Sequence, residues 1–160
     1  RVRRLVRARP QQCYRNAYRV IFEIPDYYDA DYVEGLVVSR SPVIIEHGWV
    51  EKDGVIIDPT LDGDQIYFPG LRFKGQRGLG EAMQIPKPEM TWEDFPIFYR
   101  FGWEGIDSPE FRAALVAAYR HVGMHDLAGR YEAYQPESGR ETLAICETSS
   151  ATSRTSVTAR

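Results

Sequence analysis

The feature that most restricts how this chain folds is the pair Asp53-Gly54, set between two runs of β-forming residues. Asp-Gly suits the central positions of a tight hairpin turn, where both residues take positive φ. Residues 43–51 alternate as a strand does: Val43, Ile45, His47 and Trp49 point one way, and Ile44, Glu46, Gly48 and Val50 the other. Residues 55–58 form the return strand, and Pro59 stops it because it has no N–H for a ladder.

The turn decides which side chains meet. A two-residue loop at Asp53-Gly54 pairs Lys52 with Val55 and sets Trp49 opposite Asp58, leaving His47 and Asp58 as diagonal neighbours. A four-residue loop sets His47 directly opposite Asp58. Both registers place the imidazole and the carboxylate on one face, whereas a three-residue loop splits them. That face also carries Val43, Ile45 and Trp49, so it is expected to be the core face and to receive a helix.

The expected helix lies upstream. Pro10 suits a first helical position, where its missing N–H costs nothing. Residues 11–22 follow, with Cys13, Ala17, Val20 and Ile21 along one face. Cys13 then lies in the first turn, where the positive end of the helix dipole favours a thiolate. Its backbone N–H has no partner within the helix and can donate to an oxyanion. Gln11 or Gln12 can supply a second donor. A thiol, an imidazole and a carboxylate in reach of one another are the parts of a nucleophile–base–orienter triad. In such a triad Trp49 would shield the ion pair from water.

In this order and setting the residues resemble the papain-like superfamily, above all its transglutaminase-like branch. QQCYRNA (11–17) resembles the nucleophile segment and EHGWVEKDGVIIDPT (46–60) the His–Asp hairpin. YVEGLVV (32–38) is similar to the strand between them in bacterial members of unknown substrate. The resemblance covers residues 10–73 and departs at Gly48, where Ala is usual. The short Cys–His separation implies a compact version of the fold. The resemblance implies Cys13, His47 and Asp58 as catalytic residues, and peptidase, amidase, deamidase, transglutaminase or acyltransferase chemistry without a cofactor. It does not choose among them. The rival reading is a retained fold without catalysis, acting as a protein-binding or inhibitor module.

Each residue also has a plainer role. Cys13 can be an inert core thiol, His47 a satisfied core histidine, and Asp58 the start of a turn. Cys13, His47 and Asp58 as zinc ligands would lack a further Cys or His beside them. His121 and His125 are four apart, but Gly123 between them ends the helix, so a charge at the helix C-terminus is the favoured role of His121. No metal site is expected. Gly75, Gly78 and Gly80 lack the Lys-Ser/Thr that a phosphate loop needs. Glu34 sits on a strand beside Tyr32, either on a solvated face or touching substrate.

The remaining chain fits an α+β domain: a nucleophile-bearing helix on a small antiparallel sheet, with C-terminal helices. Strands are expected at 32–39 and 66–73, the latter interrupted at Pro69-Gly70. Residues 75–88, rich in Gly and Pro, read as an irregular connection. The aromatic run 92–101 suits a short helix, and with Trp103 a second hydrophobic cluster. Ser108-Pro109-Glu110 reads as a helix start, Gly123 as its stop, and 126–134 as a shorter helix packed back on it. The domain is expected to span 10–134, preceded by a basic segment, 1–9, with five Arg, and followed by a disordered polar tail, 135–160. The basic segment is read as solvated, or as the visible end of a longer gene product, since the first residue is not Met.

The net charge of −3 gives no reason to expect nucleic acid as a partner. No apolar run is long enough to span a bilayer, and no signal-peptide core follows the basic start. Cys13 and Cys146 are the only cysteines, read as free thiols in a reducing, cytoplasmic setting. A protein or peptide substrate is expected.

Overall fold

The computed structural model describes residues 1–87 and 96–136. It is a mixed α+β fold built on a four-stranded antiparallel sheet. The elements are α1 (Val2–Leu5), α2 (Cys13–Glu23), β1 (Asp31–Val38), β2 (Ile44–Lys52), β3 (Val55–Ile57), β4 (Ile66–Lys74), α3 (Gly75–Ala82), α4 (Pro109–His121) and α5 (His125–Glu132). A 3₁₀ turn, Ile97–Phe101, lies before α4 in the chain. The strand order is β3-β2-β1-β4. Among the described residues no helix is long and apolar enough to cross a membrane.

The hairpin forms with the two-residue turn. Lys52 pairs with Val55 and Val50 with Ile57. Asp53 and Gly54 take φ of 51° and 75°, as a type I′ turn requires. β4 continues through Pro69-Gly70, because a bulge absorbs them: Glu34 pairs with Leu71 and Gly35 with Pro69. Gly35 is needed there, since a Cβ would lie 2.3 Å from the Phe68 carbonyl oxygen.

Both faces of β1 are buried. Tyr32, Glu34 and Leu36 share one face with Val50, Gly48 and Glu46 of β2. Ala17, Val20 and Ile21 of α2 pack there against Tyr32 and Val50, and Phe111 and Leu115 of α4 pack against Leu36 and Val38. The opposite face holds a smaller cluster of Val33, Val37 and Trp49, edged by Ile45, Leu61 and Tyr67. The helix therefore covers the Gly48–Val50 face, not the His47–Trp49 face that the sequence pattern suggested. Gly48 permits this, because the Tyr14 ring lies where a Cβ would sit, 2.7 Å from it.

Three further expectations are corrected. Helix α2 begins at Cys13 rather than Pro10, because the preceding chain folds back: Gln11 takes φ of 60°, and the Arg9 backbone bonds to the Asn16 side chain. The basic segment is only partly solvated: its five Arg are exposed, but Val6 is fully buried beside Ala17 and Val20 and docks it. Residues 75–82 are helical despite three glycines, because Leu79 and Ala82 share a buried face. The C-terminal helices form as expected: the Ser108 hydroxyl caps α4 by accepting from the Phe111 N–H, and Tyr119 stacks on Tyr131 of α5. Trp92 and Phe95 of the aromatic run, Cys146, and residues 137–160 of the polar tail lie outside the described residues.

Candidate active site

The site is assembled from the first residue of α2, the middle of β2 and the turn after β3. Tyr14 lies over Gly48, so their chain neighbours Cys13 and His47 are brought together although the helix packs on the face opposite His47. Cys13 is half-buried, and its thiol is near enough to the His47 ring to act on the ring's charge. His47 Nε2 and Asp58 Oδ2 are 2.7 Å apart, with both side chains almost fully buried. Nε2 is thus engaged by the carboxylate, and Nδ1 is the ring nitrogen left for another partner.

Asp58 lies one residue past the end of the β2–β3 ladder and is held by a turn of its own making. Its Oδ1 accepts from the backbone N–H of Thr60 (2.7 Å) and Leu61 (3.0 Å). Its Oδ2 accepts from the Tyr67 hydroxyl at 2.9 Å as well as facing His47. Burial alone would raise the Asp58 pKa, but the His47 hydrogen bond and charge and the two backbone donors outweigh it and hold the carboxyl below its ordinary value. Burial alone would lower the His47 pKa, but the bonds and charges of Asp58 and Cys13 raise it to about 9. The ring is therefore held as an imidazolium at neutral pH, paired with the Asp58 carboxylate.

Trp49 is fully buried and walls the pair from water. Its ring runs nearly parallel to His47, with centroids 6.3 Å apart, and meets Tyr67 edge-on at 5.1 Å. Its indole N–H donates to Glu51 at 2.8 Å. Trp49 is also among the candidate substrate-binding residues, and its side chain is fully buried. At the helix start, Asn16 is the first residue whose N–H bonds back into the turn, to the Gln12 carbonyl. The N–H groups of Cys13 and its neighbours thus have no intrahelical partner. Gln11 and Gln12 flank the thiol and are exposed, and neither side chain caps the helix.

Glu34 is not at the site. It is fully buried on the helix-bearing face, where it accepts from the Tyr32 hydroxyl (2.8 Å) and from the N–H groups of Ile97 (2.9 Å) and Phe98 (2.8 Å). Burial raises its pKa to about 7 against those three bonds. It anchors the 3₁₀ turn to the sheet. His121 ends α4 beside Phe68, and His125 begins a different helix. No group of His, Cys, Asp and Glu suited to a metal occurs among the described residues.

Sequence reasoning missed Tyr67, Thr60 and Asn16. Tyr67 pairs with Val37, so strand alternation would have placed it on the His47 face had the strand order been known. Asn16 carried a fainter signal, an amide amid the apolar residues of the buried helix face. The arrangement supplies a nucleophile, a base, an orienting carboxylate and free N–H donors at a helix start. No protein-family model matches the sequence, and comparison with curated proteins and with solved structures found no significant match.

Proposed function

We propose that the protein is a cysteine-dependent hydrolase or acyl transferase of papain-like, transglutaminase-like type. The observation that carries this reading is the buried His47–Asp58 pair beside a thiol at a helix N-terminus. A solely structural histidine has no need of both a buried carboxylate on one nitrogen and a thiol close to the ring. Cys13 is partly exposed rather than fully buried, which favours the enzyme over a binding module on the same fold.

The Cys13 thiolate attacks the carbonyl carbon of an amide or thioester in a protein or peptide. The carbonyl π electrons move to oxygen, and N–H groups at the start of α2 stabilise the oxyanion. The oxyanion collapses, the bond to the leaving amine or thiol breaks, and the imidazolium of His47 supplies the leaving group's proton. Water or an acceptor amine then attacks the acyl-enzyme. His47 takes the attacking group's proton, and Cys13 departs as thiolate. Asp58 keeps the ring oriented throughout and stabilises its charge.

The test is acylation by p-nitrophenyl acetate, followed by release of nitrophenol and by intact mass. A stoichiometric burst, an acetyl adduct mapped to Cys13, and loss of both in His47→Ala are expected. No adduct at Cys13 in the folded protein overturns the enzyme reading and leaves the binding module.

A further inference from the structure

The carboxylate that orients His47 sits where the β ladder no longer holds the chain. β3 pairs with β2 only over Val55–Ile57, and Asp58 follows. Something else must fix Asp58 against the helix that carries Cys13. Asn16 lies three residues after Cys13 on that helix, and its side chain is buried. Its Nδ2 donates to the Thr60 hydroxyl at 2.9 Å and to the Arg9 carbonyl at 2.7 Å, and its Oδ1 accepts from the Arg9 N–H at 3.0 Å. Thr60 in turn donates its backbone N–H to Asp58 Oδ1. Arg3 pins the same turn from outside, donating to the carbonyls of Pro59 (2.9 Å) and Thr60 (2.6 Å) and pairing with Asp62.

We infer that Asn16 is a positioning residue, tying the Asp58 turn to the nucleophile helix through Thr60 so that thiol, imidazole and carboxylate stay in register. The inference rests on the triad reading above and adds the part that sets its spacing. Asn16 touches no reacting atom. It acts through Thr60 and the Asp58 turn, and the docked N-terminal segment is part of the same lock. Small misplacements are costly in such a constellation: a shift of about 1 Å can cost on the order of 100-fold in rate.

The test is the pH profile of Cys13 alkylation by iodoacetamide, with the melting temperature measured alongside, in Asn16→Ala, Thr60→Val and Thr60→Ser. Thr60→Val keeps the shape and deletes one acceptor, so it decides the matter should Asn16→Ala fail to fold. In both Asn16→Ala and Thr60→Val, alkylation near neutral pH is expected to fall about tenfold and its midpoint to move up. Thr60→Ser is expected to restore the wild-type profile. Variants that melt earlier with an unchanged profile overturn the inference and leave Asn16 a stabilising residue. A wild-type profile indifferent to His47→Ala overturns the triad reading itself, and the inference with it.

Discussion

His47 Nε2 lies 2.7 Å from Asp58 Oδ2, while the other oxygen of the same carboxylate holds the backbone N–H groups of Thr60 and Leu61. The two oxygens divide the work, one orienting the ring and one shaping the turn. Asp58→Asn can keep the turn through its carbonyl oxygen while presenting an amide N–H to Nε2. The ring must then accept at Nε2 and carry its proton on Nδ1, facing the thiol, which is the wrong tautomer for a base. Hydrolysis of p-nitrophenyl acetate is expected to fall about 10²–10⁴-fold with the fold retained, as near-UV circular dichroism checks.

Tyr67 donates to the oxygen that faces His47, so Tyr67→Phe removes a bond that favours the ionised carboxylate. The Asp58 pKa then rises. Because this pKa is depressed in the folded protein, its stabilising effect is present above about 3.8 and is lost as pH falls through the folded value. In Tyr67→Phe that loss begins at higher pH, and the acid limb of the activity profile moves up with it. Acid titration of both proteins by circular dichroism checks the direction, and the bond itself contributes about 1–3 kcal/mol.

How much of this was legible in the sequence differs from one residue to the next. Asp53-Gly54 marked the turn, and both registers left open by the sequence, from a two-residue or a four-residue loop, place His47 and Asp58 on one face. The side of the sheet that receives α2 could not be read. β1 is apolar on both faces, Val33 and Val37 on one and Tyr32 and Leu36 on the other, and Glu34 lies on the face that α2 and α4 bury. Glu34 misled for a related reason. A carboxylate signals solvent unless its partners are known, and two of its three are backbone N–H groups more than 60 positions away. The glycines of α3 concealed a helix whose formation depends on tertiary burial of Leu79 and Ala82 rather than on propensity.

Glu34 makes stability depend on pH in a way a substitution isolates. Its pKa is about 7 in the folded protein against 4.5 for the free group, so the folded state binds the proton more tightly. Stability from this group is complete below about 4.5 and is lost as pH rises through about 7. The size is on the order of 3 kcal/mol, taking about 1.4 kcal/mol per pH unit. Glu34→Gln removes this slope. His47 slopes the same way over about pH 6.5–9. Comparing the two proteins by urea melts between about pH 4.5 and 7 separates the contributions.

Gly48 lets α2 approach the sheet, and a Cβ there would meet Tyr14 Cδ1 at 2.7 Å and the Tyr14 Cα at 3.2 Å. The backbone contact cannot be relieved by a rotamer change, so Gly48→Ala pushes the start of α2 outward, carrying Cys13 away from His47. A loss of about 1–3 kcal/mol in urea melts is expected, together with slower alkylation of Cys13 at neutral pH. Unchanged alkylation in the destabilised variant would show that the helix start accommodates the methyl without moving the thiol.

The most direct test of the central claim is the rate of Cys13 alkylation by iodoacetamide against pH, in the wild type and in His47→Ala, with Cys146 followed as the reference thiol by peptide mapping. The account predicts that Cys13 labels faster than Cys146 at neutral pH, and that His47→Ala abolishes this advantage. Labelling of Cys13 no faster than Cys146 in either protein would contradict it.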